Sequence, residues 1–239
     1  MRPARLVLLA VLLSSGSAAT ALPPVESAAR PVERIVFFGD SLVHRSDGDH
    51  GLLDLVRRGL EERERGRRFE LIEAGRNGDK IADLKKRLNE DVLALRPSAV
   101  VLYWDSDVSD VDEGRLAPAQ LAAVRAAYES NLADVLRALV GARTHVIMTG
   151  PTLIGEKRHG QNPKDAQLDA YVTLNHRMAA DFRVPYLDSR GAFLAHEGAV
   201  DGPLTEDGEH LSAAGVRLLA HHVLKALHHW LHREDLARQ

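Results

Sequence analysis

A chain of 239 residues with 45% hydrophobic content has enough apolar material for one substantial core and is not forced into two domains. Its formal net charge is −3, with the basic residues scattered through the predicted helices, so no cationic stripe offers itself to a phosphate backbone and nucleic acid is excluded as the expected partner. The absence of cysteine means that an oxidising compartment would supply no disulfide framework, and the fold must stand on its core alone.

The chain opens "MRPARLVLLAVLLSSGSAATALPP": Arg2 and Arg5, then the apolar run Leu6 to Leu13, then small residues around Ala19 and Ala21. That three-part layout is the one a secretory signal peptide uses, and the apolar run is too short to span a bilayer as a stable helix. Residues 1–21 are therefore expected to be a signal peptide and 22–31 a short lead-in. Residues 32–239 would form the domain, in a secreted or periplasmic protein with no stable membrane span after processing. The competing reading is a retained N-terminal anchor.

Beyond Pro31 the chain alternates. Short apolar runs closed by Gly, Asp or Pro occur at Arg34 to Gly39, Phe69 to Ala74, Ala99 to Trp104, Thr144 to Gly150 and Val184 to Asp188. Amphipathic stretches lie between them. Leu121, Val124, Tyr128, Leu132, Val135 and Leu139 share one helical face, as do Ile81, Leu84, Leu88, Val92 and Leu95, and Leu218 to Leu231 near the C-terminus repeat the pattern. "EERERGRR", Glu61 to Arg68, reads as the solvated end of a helix and its turn. Near-continuous apolar strands separated by helices predict a parallel sheet of about five strands in a three-layer α/β/α sandwich of the flavodoxin-like type.

Ligands of such sheets sit at the carboxyl ends of the strands, near the point where strand order reverses. The loops there are "GDSLV" (Gly39 to Val43), "GRNGD" (Gly75 to Asp79) and "WDSD" (Trp104 to Asp107). A serine hydroxyl such as Ser41 is a poor nucleophile unless an imidazole takes its proton and a carboxylate orients that imidazole. In "TEDGEHLSAAG" Asp207 stands three residues before His210, a spacing that on a tight turn can set the carboxylate beside the ring. Asp207 could equally cap the following helix, a task for which Ser212 is also available.

"FFGDSLV", "AGRNGDKI" and "DGEHLSAAG", in this order, resemble the sequence blocks of the GDSL, or SGNH, hydrolases, and "GPTLIGE" and "VPYLDSR" are similar to less specific stretches of that family. The resemblance implies a serine hydrolase acting on an acyl ester, with Ser41 as nucleophile, His210 as general base and Asp207 as its orienter. It also implies an oxyanion hole built from the Ser41 N–H, the Gly78 N–H and a third-block asparagine side chain. The third block departs from the family pattern of glycine, a variable residue, then Asn-Asp. Matched at Trp104, it puts Ser106 where the amide should be, so Ser106 is the expected replacement donor. Asp105 is expected to point away from the oxyanion, held by N–H groups or a cation.

The remaining acids and the histidine-rich helix carry less. Asp105 and Asp107 match no metal-binding loop spacing, and Asp110, Asp112 and Glu113 read as a solvated loop. His228 and His232 stand one helical turn apart, a spacing that can chelate a transition metal. No third ligand is evident in the sequence, so the run reads as a solvated face and neither metal nor cofactor is expected. The reading is thus an esterase for a small-molecule or glycan ester, either a carbohydrate O-acetyl ester or a short-chain or lipid ester. The alternative is a catalytically weak relative that binds a glycan or envelope component, suggested by the missing asparagine.

Overall fold

The computed structural model describes residues 31–44, 48, 50–109, 113–155, 159–196 and 204–237. The signal-peptide expectation falls on residues outside this set, as do Asp110 and Asp112. In chain order the elements are β1 (Val32–Gly39), α1 (Leu52–Arg63), β2 (Arg68–Gly75), α2 (Ile81–Asp91), β3 (Ala99–Tyr103), α3 (Ser106–Ser109), α4 (Pro118–Gly141), β4 (His145–Thr149), α5 (Asp165–Phe182), β5 (Tyr186–Leu187), α6 (Ser189–Ala195) and α7 (Ala213–Ala237). The five strands pair in parallel in the order β2-β1-β3-β4-β5. Chain order therefore reverses around β1, and the loops after β1 and β3 meet at the switch point.

Strand side chains alternate between two buried faces. Ile35, Phe37, Val101, Tyr103 and Ile147 pack with α1 and α7 through Leu53, Val56, Leu60, Val223, Leu227 and Leu231. Val36, Phe38, Val100, Leu102 and Met148 face the other way, against Leu84 and Leu88 of α2, Leu132, Val135 and Leu139 of α4, and Leu168 of α5. With both faces covered, the central strands read as unbroken apolar runs instead of alternating ones. Pro118 occupies the first turn of α4, where its missing N–H costs nothing. The predicted stripe from Ile81 to Leu95 is split by a 3-10 turn at Leu93–Leu95, so α2 ends at Asp91.

Arg87 lies in line with the apolar stripe of α2 and is buried at 7% exposure. Its guanidinium donates to Asp79 (2.6 Å), Asp91 (2.9 Å) and the carbonyls of Ala74 and Gly39 (both 2.8 Å), and sits 4.4 Å over the Phe38 ring. One side chain thus ties the ends of β1 and β2 to the loop that carries Gly78. Replacing it by Met removes the guanidinium donor from the Ala74 carbonyl and the half-buried Asp79 carboxylate, while the Gly39 carbonyl keeps the Arg76 N–H and Asp91 keeps the Arg76 side chain. The expected loss is about 3–5 kcal/mol of unfolding free energy in a urea titration, and a loss under 1 kcal/mol, the usual range of a surface pair, would show that water substitutes for the guanidinium.

The Glu61 to Arg68 stretch differs from its expected solvated state. α1 stops at Arg63, and Glu64 and the Arg67 side chain are buried. Arg67 lies between the buried carboxylates of Glu33 (3.6 Å) and Glu64 (3.8 Å) and donates to the Leu231 carbonyl of α7. Glu113, also expected in solvent, is buried and takes a two-pronged bond from Arg125 at 3.1 and 2.6 Å. In both cases packing and an arginine partner cover a charge whose local sequence looks exposed.

Candidate active site

Gly39 ends β1 against the end of β3 so closely that a Cβ there would lie 1.8 Å from the Tyr103 carbonyl oxygen; only glycine fits. This contact brings the two following loops together. Asp40, fully buried, accepts from the Leu42 N–H (3.3 Å), the Asp105 N–H (2.7 Å), the Ser106 N–H (3.2 Å) and the Ser106 hydroxyl (3.1 Å). Its carboxylate thereby pins the start of the third-block loop to the turn that carries Ser41. In the second-block loop Asp79 N–H closes a turn on the Arg76 carbonyl, and Gly78 has φ 76°, a left-handed conformation that glycine adopts without strain. Asp107 accepts the Ile81 N–H at 2.6 Å and so holds the first turn of α2.

A cleft of about 610 Å³ opens at this edge of the sheet, lined among others by exposed Ser41, by Gly78, Asp105, Ser106 and Glu209, and by His210. His210 comes from the loop before α7, which is folded back on itself by a Thr205–Leu211 bridge and by the Glu206 N–H to His210 carbonyl bond. Asp207 Oδ1 accepts the N–H groups of Glu209 (3.0 Å) and His210 (2.8 Å), and Oδ2 meets His210 Nδ1 at 2.7 Å. Those bonds lower the Asp207 carboxyl to about 2, and the carboxylate in turn raises the His210 imidazole above 6.5. The cap of α7 is Ser212, whose hydroxyl accepts the Gly215 N–H at 3.2 Å, leaving Asp207 to the imidazole. Among the described residues no hydrogen bond joins Ser41 to His210, and the N–H groups of Ser41 and Gly78 have no protein acceptor.

Two expectations about the third block are corrected. The Ser106 hydroxyl is spent on Asp40, so it does not offer its hydrogen to the cleft. Asp105 does not turn away: half-buried, it lines the cleft and accepts the Tyr103 O–H at 2.9 Å. Burial first, and the adjacent Asp40 charge second, hold the Asp105 carboxyl well above the usual carboxylate range. Burial also raises Asp40, but four donors favour its ionised form, so the proton of this pair resides on Asp105. Trp104, which stands where the family pattern has glycine, is buried with its ring near Tyr128. Arg87 and Asp40 were not singled out from the sequence; the one available signal was an arginine in line with the α2 stripe.

A parallel five-stranded sheet with an exposed serine on the turn after β1 and an acid–histidine loop before the last helix fits a class of α/β hydrolytic enzymes. The GDSL-like lipase/acylhydrolase family model matches residues 37–218, and the chain belongs to that family, whose members hydrolyse ester bonds. Among solved structures, the acetyl xylan esterase AlAXEase is similar over 81% of this chain and 98% of its own, at 29% identity and a TM-score of 0.71. The lipase/acylhydrolase from Enterococcus faecalis is similar over 82% and 95%, at 25% identity and a TM-score of 0.66. An acetylxylan esterase from Geobacillus stearothermophilus, at 22% identity and a TM-score of 0.68 over 81% and 93%, shares the fold. No curated protein matches the chain.

An acid limb of activity is expected if His210 serves as the general base. A general base must be neutral, and the Asp207 carboxylate favours the charged ring, so kcat/KM should rise with pH with a midpoint above 6.5. A pH profile on an activated acetate ester checks this, and a midpoint below 6.5 would mean that Asp207 does not act on the ring in solution.

Proposed function

We propose that the protein is an exported serine esterase that removes small acyl groups, with a carbohydrate-borne acetyl as its leading substrate class, through an acyl-enzyme on Ser41. The observation that carries this reading is the 2.7 Å bond from Asp207 to His210 Nδ1 beside a cleft that also holds Ser41 and Gly78. With Nδ1–H directed at Asp207, His210 Nε2 is left as the acceptor. It takes the Ser41 hydroxyl proton as Oγ attacks the acyl carbon, then passes that proton to the departing alcohol oxygen. Water, deprotonated by the same nitrogen, releases the acid and restores Ser41. The Ser41–His210 bond forms in this account when substrate closes the cleft, since catalytic hydrogen bonds are often long without it.

The free N–H groups of Ser41 and Gly78 receive the oxyanion. The third donor is the protonated Asp105 carboxyl, the nearest in shape to the asparagine amide of the family, so that a neutral acid does what the amide does elsewhere. The acetyl preference rests on similarity to AlAXEase, described as an acetyl xylan esterase. The test is a panel of esters in which acyl length and alcohol part vary independently, including acetylated xylo-oligosaccharides. Faster release of acetate from the saccharides than of longer acyl groups from simple alcohols supports the assignment, and a preference for long acyl chains overturns it. Export is supported by the N-terminal composition. N-terminal sequencing of protein recovered outside the cytoplasm should begin close after Ala21, and a start at Met1 would indicate a retained anchor.

A further inference from the structure

The buried end of α1 and the histidine face of α7 form a cluster distant from the cleft. Glu64, the residue after the last turn of α1, has only 4% of its side chain exposed. Its Oε1 meets His228 Nδ1 at 2.5 Å and His232 Nε2 at 3.3 Å, while Oε2 faces Arg67. The two imidazoles stand one turn apart on α7 with ring centroids 4.2 Å apart, and one ligand atom from each of the three residues lies within 4.8 Å of the others. The third ligand that the sequence did not reveal is therefore present, carried in from a position 164 residues away.

We propose that Glu64, His228 and His232 form a binding site for a divalent transition metal of the zinc class. Two imidazoles and one carboxylate are the borderline nitrogen and oxygen donors that such ions prefer, whereas calcium and magnesium call for oxygen sets. The separation of 3.3 Å between His232 Nε2 and Glu64 Oε1 is the ligand–ligand spacing of a tetrahedron with bonds of about 2.0–2.1 Å. The His228 contact has closed to a hydrogen bond and would widen by roughly 0.8 Å, within reach of a small side-chain rotation. Both histidine side chains are 51% exposed, which gives an ion a path from solvent and leaves the fourth position to water. The carboxylate is the buried partner, and it shares Arg67 with a second buried carboxylate, Glu33, so the cluster carries more acid than fixed base. A divalent cation would satisfy that excess.

The position suggests a clamp and not a catalytic centre. Glu64 precedes β2 at the amino edge of the sheet, opposite the strand ends that carry Ser41, and α1 and α7 pack on each other through Leu53, Leu60, Leu224 and Leu227. An ion there would cross-link the first and last helices of the domain and resist their separation.

The experiment uses the full domain without a histidine tag, stripped with a chelator and titrated with Zn²⁺ by calorimetry, with Co²⁺ absorption as a second probe. The expected result is one ion per chain, a Co²⁺ spectrum of four-coordinate intensity, and a rise in Tm on saturation. His232→Ala alters a half-exposed side chain and should fold. It is expected to weaken binding at least tenfold and remove the Tm gain, and Glu64→Gln should act in the same direction. Equal Zn²⁺ affinity in wild type and His232→Ala, or no binding at micromolar Zn²⁺, would overturn the proposal.

Discussion

Ser41→Ala is expected to abolish ester hydrolysis, with kcat on an activated acetate falling by about 10⁴-fold or more, while Tm stays within about 2 °C of wild type. The size of the first effect follows from the role: without Oγ no covalent intermediate forms, and only the oxyanion donors and substrate binding remain to act on water. The smallness of the second follows from the site. Ser41 is exposed on a turn whose shape is held by Asp40 and Gly39, and its own hydroxyl has no partner among the described residues that the alanine would orphan. Rapid-mixing kinetics with a chromogenic acetate gives a second readout. A burst of alcohol equal to the enzyme concentration marks the acyl-enzyme, and it should vanish in the variant. Retained turnover in Ser41→Ala would transfer the chemistry to a water activated by His210 and remove the acyl-enzyme from the mechanism.

Asp105 carries the second large effect, and its sign depends on what replaces it. Under the proposed role, Asp105→Ala removes an oxyanion donor and should lower kcat by about 10²- to 10³-fold, roughly 3–4 kcal/mol of transition-state stabilisation. Asp105→Asn keeps the shape of the protonated acid and supplies an amide hydrogen that does not titrate, so at neutral pH its kcat should match or exceed wild type. The two proteins should part at alkaline pH. Burial and the Asp40 charge raise the Asp105 carboxyl, so it donates below its elevated pKa and, as pH rises through that value, becomes an anion opposed to the developing charge. The wild-type rate should therefore fall on the alkaline side while Asp105→Asn holds its plateau. Ser106→Ala removes only one of the donors to Asp40 and should cost less than about tenfold. If Asp105→Ala stays within about threefold of wild type, or Asp105→Asn falls as far as Asp105→Ala, the oxyanion is held by the two backbone N–H groups alone.

The clustering of acids at the end of β3 thus has several causes in place of one. Asp105 lines the cleft and accepts the Tyr103 O–H, Asp107 holds the first turn of α2, and Glu113 is neutralised by Arg125. None of these roles requires a cation. They need partners that arrive from α2, α4 and the β1 turn, all outside the stretch itself, and for that reason the stretch alone did not assign them.

Hydrophobic periodicity was sufficient to determine the sheet, its parallel sense and most of its helices, because strands buried on both faces and helices buried on one leave patterns within a few residues of themselves. The order of the sequence blocks made Ser41, Gly78, Asp207 and His210 the candidates, and the Asp207–His210 pairing and the turn at Gly78 were legible because both are local geometry. Tertiary structure alone decided where hydrogen bonds and charges found their partners. The placement of the third-block loop turned on the close approach of Gly39 to Tyr103 and on the donors that converge on Asp40. The burial of Arg87, and the meeting of Glu64 with two histidines on the last helix, turned on packing between elements far apart in the chain. A polar side chain's state is set by whatever lies within about 4 Å of it, and those neighbours are chosen by the fold and not by the adjacent residues.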